Sequence, residues 1–409
     1  MNKFLKEFKD RDYFYQCTDQ LELSNLLDKF KIKAYIGFDC TASSLHVGSL
    51  LQIMCLRLLQ KHGHQPIVLL GGGTTRIGDP SGKDQTRKIL SEKEIDKNSK
   101  NIKKILKIFL SNKDKNTRPI FVDNYKWLKN LNYISFLRDI GKYFTINKML
   151  TFDSVKTRLE REQSLSYMEF NYMILQAYDF LELKRKEDCI LQIGGSDQWG
   201  NIVSGVDLIK RYLNKKVFGL TTPLITLASG SKMGKTTDGA IWLDKKFLSP
   251  YEYWQFWRNT DDRDVLKFLK YFTDITFDEL NKIKSKNIND LKIILADQAT
   301  AMLHGNKESL KANKAAQDAF SSKLLTSNIP SIKIKNFEIK KKINIIDLII
   351  ISKLENSKSE VRRLIKGKAI KINNKLIENE KFIISYGLFE NDSLKLSIGK
   401  KRHLKIVLS

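Results

Sequence analysis

Residues 34–70, AYIGFDCTASSLHVGSLLQIMCLRLLQKHGHQPIVLL, contain the pattern that decides the fold. Residues 34–38 are typical of a short buried strand, and residues 67–70 of a second one. The segment between them has helical apolar spacing, with Ser44 as the expected N-cap and Gly63 as the expected stop. The apolar positions that define this helix are Val47, Leu50, Leu51, Met54 and Leu58. A strand, a helix and a second strand in this order predict a βαβ unit and a parallel sheet.

The same alternation continues through the first 247 residues. Residues 189–193 and 223–227 are predicted strands, and residues 196–213 are a predicted helix. Strands that alternate with helices indicate the α/β class. We therefore predict a Rossmann-like parallel-sheet domain for this part of the chain.

The pattern becomes helical from residue 249 onward. Ser249 and Thr276 each open a capping box, and the aromatic side chains of residues 251–257 are the expected core of the first of these helices. Prolines and lysines then mark a linker, and strand-like segments return near residue 343. The predicted domains are a Rossmann-like catalytic domain at 1–247, an all-helical domain at 248–325, a linker at 326–342 and a small α+β domain at 343–409.

The chain carries a formal net charge of +26, which favours a polyanionic partner. Its richness in lysine, asparagine and isoleucine together also fits a general compositional drift. The distribution of charge separates the two explanations better than the total does. Residues 341–409 contain 16 basic and 7 acidic residues, a net charge of +9, so this end is more than twice as basic per residue as the rest of the chain. This distribution favours a C-terminal domain that binds a polyanion.

The last domain carries a predicted helix at 358–367, followed by a hairpin whose turn is Asn373-Asn374. Lys358, Arg362 and Lys366 are four residues apart and share one face of that helix. The helix–turn–hairpin resembles the small RNA-binding fold first known from a ribosomal small-subunit protein. The alternative is an ordinary solvated charged helix. The basic residues predicted to bind RNA are Lys358, Arg362, Arg363 and Lys366.

The four cysteines are far apart and share no metal-ligand spacing, and the five histidines are scattered. We expect reduced thiols and no metal site. No apolar run approaches the roughly 20 residues of a membrane helix. The N-terminal residues lack the apolar core of a secretory signal, and acidic residues follow soon after them, which also argues against an organellar transit peptide. These features predict a cytoplasmic protein with no membrane contact.

A glycine-rich segment, GGGTTRIGDPSGK at 71–83, follows the second strand and superficially matches a P-loop. Its last two glycines are one residue too close for a Walker motif, and Asp84 replaces the Ser or Thr that would bind magnesium. We interpret the segment as a bend that brings backbone close to a ligand. Asp79 in this bend is placed to hold an ammonium group, and Lys83 and Arg87 to reach a departing phosphate.

Polar residues also interrupt two later elements. Tyr172, Gln176 and Asp179 fall at i, i+4 and i+7, so they share one face of a predicted helix. A solvent-facing polar stripe fits this spacing equally well. Downstream, LQIGGSDQWGN at 191–201 is typical of a strand, a glycine bend and a helix start. Such a bend presents backbone amides to a ligand, and Asp197 is placed to accept hydrogen bonds from ribose hydroxyls.

Two short segments outline a nucleotide site. HVGS at 46–49 lies where the first strand gives way to its helix, and a helix N-terminus there can receive a phosphate. KMGKT at 232–236 is a glycine-containing loop with two lysines that can close over that phosphate. The pair resembles the HIGH and KMSKS elements of the class I aminoacyl-tRNA synthetases.

The resemblance becomes specific when six segments are taken together and in order. They are 35–39 (YIGFD), 46–49 (HVGS), 77–81 (IGDPS), 172–180 (YMILQAYDF), 191–201 (LQIGGSDQWGN) and 232–236 (KMGKT). This set is similar to the bacterial-type tyrosyl-tRNA synthetases, over essentially the whole chain. The family implies activation of L-tyrosine with ATP and Mg²⁺ and transfer of the tyrosyl group to tRNA(Tyr). It also implies a homodimer without a tightly bound metal.

The family further implies roles for residues at matching positions. Tyr35 and Asp179 would hydrogen-bond the substrate phenol, and Gln198 would lie near the reacting carboxylate. The residues that would bind the α-ammonium group are Asp79, Tyr172 and Gln176. The residues that would contact ATP are Gly37, Asp39, His46, Ser49, Gly195, Asp197, Lys232 and Lys235. The residues that would stabilise the departing pyrophosphate are Thr41, His46, Lys83, Arg87, Lys232 and Lys235.

Two positions depart from the family pattern, and neither belongs to the amino-acid pocket. Ser49 stands where the HIGH element usually has its second histidine. Because a hydroxyl still donates to a nucleotide oxygen, we expect activity to be kept. Cys40 stands where a proline is frequent before Thr41, which loosens the local turn.

Three alternatives share parts of this pattern. The tryptophanyl enzymes share the fold, but Tyr35 paired with Asp179 favours a phenol over an indole. A non-catalytic RNA-binding protein on a synthetase scaffold would be expected to lose the lysines of the phosphate site, and Lys232 and Lys235 are present. A nucleotidyltransferase for another small acid would not need the basic C-terminal domain.

Overall fold

A computed structural model shows the fold of the chain. It describes residues 2–79, 90–112, 114–231, 233–236, 239–320, 330–334, 342–390, 392–399 and 402–408. Contacts divide the chain into two units. The first unit comprises Met1–Phe247 and Asp261–Lys286, and the second comprises Leu248–Thr260 and Asn287–Ser409.

A six-stranded sheet forms the centre of the first unit. Its strands are β1 (Gln16–Cys17), β2 (Lys33–Asp39), β3 (Gln65–Gly71), β4 (Ile120–Asp123), β5 (Cys189–Gly195) and β6 (Phe218–Thr222). The order across the sheet is β1-β6-β5-β2-β3-β4, and every pairing is parallel except that of β1 with β6. The interior strands are rich in buried aliphatic residues, as expected for a parallel sheet covered on both faces.

Helices and one short hairpin complete the first unit. The helices before the sheet's last strand are α1 (Lys3–Asp10), α2 (Gln20–Lys29), α3 (Leu50–Lys61), α4 (Gly72–Thr75), α5 (Glu92–Leu110), α6 (Tyr125–Leu128), α7 (Tyr133–Asp139), α8 (Ile146–Leu150), α9 (Asp153–Glu160), α10 (Tyr167–Glu187) and α11 (Trp199–Leu213). The hairpin is formed by β7 (Lys235–Thr236) and β8 (Gly239–Ala240).

The βαβ prediction is confirmed, but the predicted cap of its helix is wrong. Ser44 Oγ donates to the carbonyl of Leu45 at 2.8 Å and accepts from the amide of Asp244 at 3.1 Å. A short 3₁₀ turn, Val47–Ser49, precedes α3, and His46 caps it: its Nδ1 accepts from the Gly48 amide at 3.0 Å. The Ser44 hydroxyl therefore bonds Asp244, 200 positions away in the sequence, and does not cap the helix.

The strand predicted at residues 223–227 is also wrong. The strand is β6, whose five residues are all buried and which ends directly before Pro223. β6 pairs on one edge with β5 and on the other with β1. Because proline has no amide hydrogen, Pro223 could not donate to the ladder of such an interior strand.

The second unit contains the helical part predicted after residue 248. α12 (Pro250–Arg258) begins at the Ser249 capping box with proline at its first position, as predicted. In chain order the first unit then contributes α13 (Val265–Phe272) and α14 (Phe277–Ile283), the latter capped by Thr276 as predicted. α15 (Ile288–His304) and α16 (Asn306–Phe320) follow in the second unit, where both contact α12. Tyr253, Trp254 and Trp257 are buried, as expected for core aromatics.

A five-stranded sheet with two helices forms the C-terminal part of the second unit. Its elements are β9 (Ser331–Ile334), α17 (Ile345–Ile351), α18 (Lys358–Lys366), β10 (Ile370–Ile372), β11 (Lys375–Leu376), β12 (Ser393–Ile398) and β13 (Arg402–Leu408). The strand order is β11-β10-β12-β13-β9. Asn373 and Asn374 have φ angles of 47° and 66°, as a two-residue hairpin turn requires.

The α/β class, the helical segment and the small C-terminal α+β fold are thus as predicted. One strand, β9, lies inside the segment predicted as a linker, because its isoleucines join the buried C-terminal core by pairing with β13. The boundaries at residues 247, 325 and 342 remain predictions.

Candidate active site

The candidate site lies at the carboxyl ends of the two central strands of the first sheet. β2 and β5 are adjacent and parallel, and the chain leaves them in opposite directions, through β3 and β4 on one side and through β6 on the other. Ligands bind at such a switch point in open α/β sheets. A cavity of about 310 Å³ lies there.

The cavity brings together residues that are distant in sequence. The predicted tyrosine-binding residues that line it are Tyr35, Asp79, Tyr172, Gln176, Asp179 and Gln198. The predicted nucleotide-binding residues that line it are Gly37, Asp39, Gly195 and Asp197. A second cavity of about 250 Å³ shares Gly37 and Asp39 with the first, and its lining includes Thr41, His46 and Ser49.

Tyr35 and Asp179 form one buried end of the first cavity, each only 1% exposed. The carboxylate of Asp179 accepts hydrogen bonds from Asn124 Nδ2 and Trp127 Nε1, both at 2.8 Å. Burial raises the pKa of Asp179 to about 8, although these two donors oppose the rise. Burial, and then the nearby Asp179 charge, also raise the pKa of the Tyr35 hydroxyl well above its usual value.

The Tyr35 hydroxyl is buried and has no hydrogen-bond partner among the residues that the structure describes. Leaving such a group without a partner is costly, and native proteins do so rarely outside functional sites. A ligand hydroxyl between Tyr35 and Asp179 would give Tyr35 a partner and would add a third donor to the two that Asp179 already has.

The opposite polar wall contains the side chains predicted to bind an ammonium group. Gln198 Nε2 donates to Asp79 Oδ2 at 3.0 Å. Asn201 Nδ2 donates to Gln176 Oε1 at 3.1 Å and to Gln198 Oε1 at 3.0 Å. These bonds fix the two glutamine side chains relative to Asp79. The wall offers carbonyl and carboxylate oxygens, which are the groups that an ammonium ion requires.

A chain of hydrogen bonds connects the wall to the buried end. Tyr172 Oη donates to Asp39 Oδ2 at 3.2 Å, and Thr74 Oγ1 donates to Asp39 Oδ1 at 2.9 Å. Asn124 Nδ2 donates to Thr74 Oγ1 at 3.0 Å as well as to Asp179. Gly71 lies beside this chain, where a Cβ atom would come within 2.3 Å of Asp39 Oδ1. The close packing there explains a glycine at the end of β3.

Sequence reasoning missed Asn124, Trp127, Thr74 and Asn201. Asn124 is completely buried and directly follows β4, at the edge where β2 and β5 also end. A polar residue just past a strand of a parallel sheet was a usable signal for Asn124. Trp127 and Thr74 had no comparable signal, because each meets the network only through the tertiary fold.

The structure brings the HIGH-like segment against the KMSKS-like one. A Cβ atom on Gly234 would come within 2.6 Å of His46 Nδ1, and one on Gly48 within 2.9 Å of the Met233 carbonyl. The His46 and Trp242 rings meet edge to face with centroids 6.3 Å apart. Because Nδ1 of His46 accepts from the Gly48 amide, Nε2 is the nitrogen that can donate to a ligand.

The positions of the phosphate-site cations are only partly described. Lys83, Arg87 and Lys232 lie outside the described residues. Lys235 lies in β7, where it pairs with Ala240. Their predicted roles therefore rest on the sequence.

The basic residues of the C-terminal helix are exposed on α18. Lys358 forms an ion pair with Asp347 at 2.7 Å, Arg362 with Glu380 at 3.5 Å, and Arg363 with Glu360 at 2.6 Å. Exposed pairs of this kind contribute little to stability and open easily. The four side chains remain candidates for RNA phosphates.

The described residues contain neither a metal-ligand cluster nor a membrane-spanning helix. No group of three or more His, Cys, Asp or Glu side chains is arranged to hold a metal ion in the described ranges. Within the same ranges, no helix has the length and apolar content needed to span a membrane.

Comparison with known proteins places this site in a family. Residues 28–321 match the model of the class I tRNA synthetases (W and Y), and residues 322–406 match the C-terminal domain of SYY-like tyrosine–tRNA ligases. The fold and site thus define a class I aminoacyl-tRNA synthetase. The chain is 72% identical, over 100% of both sequences, to the tyrosine–tRNA ligase of Pelagibacter ubique. It is 50% identical to that of Rickettsia felis, over 98% of this chain and 99% of the relative.

The chain belongs to the tyrosine–tRNA ligase family, as the sequence resemblance predicted. A solved structure of a C-terminally truncated mitochondrial tyrosyl-tRNA synthetase from Aspergillus nidulans supports the fold. It aligns with a TM-score of 0.70 and 30% identity, over 77% of this chain and 93% of that one. A tyrosyl-tRNA synthetase from Archaeoglobus fulgidus, at 19% identity and a TM-score of 0.57, shares the fold.

Proposed function

We propose that this chain activates L-tyrosine with ATP and transfers the tyrosyl group to tRNA(Tyr). In the first step a tyrosine carboxylate oxygen attacks the α-phosphorus of ATP, the bond to the β-phosphate oxygen breaks, and pyrophosphate leaves. In the second step a hydroxyl at the 3′ end of the tRNA attacks the acyl carbon of tyrosyl-adenylate, and AMP leaves. Mg²⁺ enters with ATP, as part of the nucleotide substrate.

The observation that carries this proposal is the buried pair of Tyr35 and Asp179. A phenol that donates to Asp179 and accepts from Tyr35 satisfies both groups. Phenylalanine would leave the Tyr35 hydroxyl unpaired and would bring Asp179 no donor, and an indole presents no oxygen at that position. Sites built to bind a hydroxyl reject analogues that lack it, and tyrosyl enzymes are the standard example of this effect.

The polar wall supports the same orientation of the substrate. With its ring at Tyr35 and Asp179, the ammonium group of tyrosine would lie toward Asp79 and Gln176. Its carboxylate would then lie near Gln198, on the side of the nucleotide cavity. The carboxylate is already ionised at neutral pH, so positioning, rather than a general base, is what the first step requires.

The residues around the second cavity are suited to stabilising the negative charge on the departing pyrophosphate. His46 accepts through Nδ1, so its proton is on Nε2, and Gly234 of the KMGKT segment packs against the His46 ring. Contacts that form mainly as the pyrophosphate departs raise the rate more than they raise ground-state affinity. Asp197 and Gly195 are proposed to hold the nucleoside.

We also propose a homodimer in the cytoplasm. Large apolar side chains are exposed in the segment from α7 to the start of α10, and an exposed apolar surface is typical of an interface. These residues are Tyr133, Ile134, Leu137, Ile146, Leu150, Leu159 and Tyr167, from 37% to 70% exposed. Sedimentation of the purified chain, compared with an Ile134→Asp variant, tests the dimer.

Aminoacylation tests the proposed function directly. Purified chain with ATP, Mg²⁺ and total tRNA is expected to attach labelled tyrosine, but not labelled phenylalanine or tryptophan. Attachment of tryptophan would indicate the sister specificity. RNA binding without attachment of any amino acid would contradict an enzymatic function.

A further inference from the structure

A row of lysine side chains runs along the outer face of α5. Its members are three or four residues apart and are all exposed. With 3.6 residues per turn, they lie within an arc of about 80° and extend over about 21 Å of the helix axis. The members of this lysine row are Lys93, Lys97, Lys100, Lys104 and Lys107.

The opposite face of α5 is anchored in the first unit. Ile95, Ile102 and Leu106 are almost completely buried, and so are Phe109 and Leu110 of its last turn. The helix is therefore held in place, and its apolar face is not available to a lipid surface. A helix that lies in a membrane interface would instead present that face.

Few acidic side chains lie near the lysine row to balance its positive charge. The three acidic residues of α5 all lie in its first five positions, and the stretch from Lys97 to Leu110 has none. Glu92 and Asp96 are each 3.8 Å from Arg76. No lysine of the row forms an ion pair within 4.0 Å with any residue that the structure describes. A purely solvated helix usually interleaves charges of both signs, because like charges at these spacings destabilise it.

α5 also forms part of the wall of the nucleotide end of the site. Asn98 Nδ2 donates to the Cys40 carbonyl at 3.0 Å, and Ser43 Oγ donates to Asn98 Oδ1 at 2.8 Å. Ile102 lines the cavity that also contains Thr41 and His46. The inner face of the helix therefore contacts the loop that holds the nucleotide site, while the lysine row lies on its outer face.

We propose that the lysine row binds the sugar–phosphate backbone of the tRNA while the 3′ end of that tRNA occupies the active site. This inference rests on the proposed function, which makes tRNA a substrate. A straight row of cations suits a backbone of regularly spaced phosphates. Such contacts supply affinity and orientation without reading the sequence. The alternative is that the row binds an acidic protein surface. In that case, replacing the lysines would not change the affinity for tRNA.

The test replaces four lysines of the row by glutamine: Lys97→Gln, Lys100→Gln, Lys104→Gln and Lys107→Gln. A control with the same change in net charge replaces four other exposed lysines of the first unit: Lys29→Gln, Lys282→Gln, Lys284→Gln and Lys286→Gln. Tyrosine-dependent ATP–pyrophosphate exchange is expected to stay within about twofold of the parent in both variants, because neither set is part of the proposed tyrosine or ATP site.

The Kd for tRNA at about 150 mM salt is expected to rise about tenfold in the row variant and less than twofold in the control. The slope of log affinity against log salt should become shallower by about 3 units in the row variant, since each phosphate contact contributes about 0.7 to 0.9. Replacing the same four lysines by arginine should preserve both values.

Three outcomes would overturn the inference: an unchanged Kd and slope, an equal change in the control, or failure of the arginine variant to bind like the parent. The exchange assay guards against misfolding, because a row variant with normal exchange has an intact site. Failure of the parent chain to charge tRNA at all would count against the proposed function, and that result is visible before any variant is made.

Discussion

Asp179 and Lys358 are both charged residues proposed to bind a substrate, but their surroundings differ completely. Asp179 is 1% exposed and is held by two N–H donors at 2.8 Å. The Lys358 side chain is 58% exposed, with one ion pair to Asp347. A buried charge is costly without the right partners, so the first arrangement discriminates between ligands. An exposed charge costs little and is screened by salt, so the second supplies affinity rather than selectivity.

Removing the buried carboxylate is expected to have the largest effect. Asp179→Ala leaves Trp127 Nε1 and one N–H of Asn124 without an acceptor, and it removes the acceptor of the phenol. Breaking a buried charged interaction in this way costs about 3–5 kcal/mol, so kcat/KM for tyrosine in pyrophosphate exchange should fall about 10³-fold. The exposed Asp278→Ala change serves as the control, with no loss expected. A fall of less than tenfold in a folded Asp179→Ala protein would contradict the comparison.

Removing a hydrogen-bond donor to the Asp179 carboxylate should raise its pKa and shift the pH dependence of activity. The pKa of Asp179 is about 8, and the ionised carboxylate is the form that accepts from the phenol, so kcat/KM should rise with pH through about 8. Asn124→Ala removes a donor to the anion, which raises that pKa and shifts the rise to higher pH. Near neutral pH the loss should be about 10-fold or more.

Trp127→Phe offers an independent check of that shift, because it keeps an aromatic ring and removes only the second donor. Both variants should shift the pH profile of kcat/KM in the same direction. A shift toward lower pH in either variant, or none in both, would show that these donors do not hold the charge of Asp179.

Gly234→Ala tests the nucleotide side separately from the amino-acid end. Gly234 has φ of +113°, and the added Cβ would lie 2.6 Å from His46 Nδ1. Displacing the loop should lower kcat of activation about tenfold, with KM for tyrosine within about twofold. Gly239→Ala is the matched control, since φ is +115° there but no atom lies within 4 Å of the added Cβ. Equal losses in the two variants would indicate backbone strain rather than the contact with His46.

The smallest effect is expected for the exposed basic residues of α18. Lys358→Ala combined with Arg362→Ala should raise KM for tRNA a few-fold at low salt and leave tyrosine activation unchanged. The difference should disappear at high salt, because exposed charges are screened. The free energy of unfolding should change by less than about 1 kcal/mol. Lys29→Ala combined with Lys282→Ala is the control, because it removes the same number of positive charges. An equal rise in KM for tRNA in this control would show that the basic residues of α18 have no specific role in binding tRNA.

The sequence predicted the pocket best where one element carried several functional residues. Tyr172, Gln176 and Asp179 follow a single helical spacing, so their common face was visible without a structure. The glycine bend between a strand and a helix was also informative, because it predicted Asp197, whereas Asp39 came only from the family resemblance. The lining of one cavity by these residues agrees with that reasoning.

The remaining features depend on partners that are distant in sequence. Asn124 and Trp127 contact Asp179 across 55 and 52 positions, and no local spacing reveals such a pair. Ser44 was predicted to cap the helix, but its hydroxyl accepts a hydrogen bond from the amide of Asp244 instead. A tertiary contact has therefore replaced the predicted local hydrogen bond. β9 was hidden in a lysine-rich stretch, because its strand character depends on pairing with β13.

The most direct test of the central claim is the discrimination between tyrosine and phenylalanine by the parent chain and by Tyr35→Phe. The quantity to measure is kcat/KM for each amino acid in pyrophosphate exchange. The account predicts that the variant loses about tenfold with tyrosine, because one hydrogen bond to the phenol is gone. It predicts no loss, and if anything a gain, with phenylalanine, because the variant lacks the hydroxyl that phenylalanine would leave unpaired. An equal change for both amino acids would contradict the claim that this buried end selects the substrate.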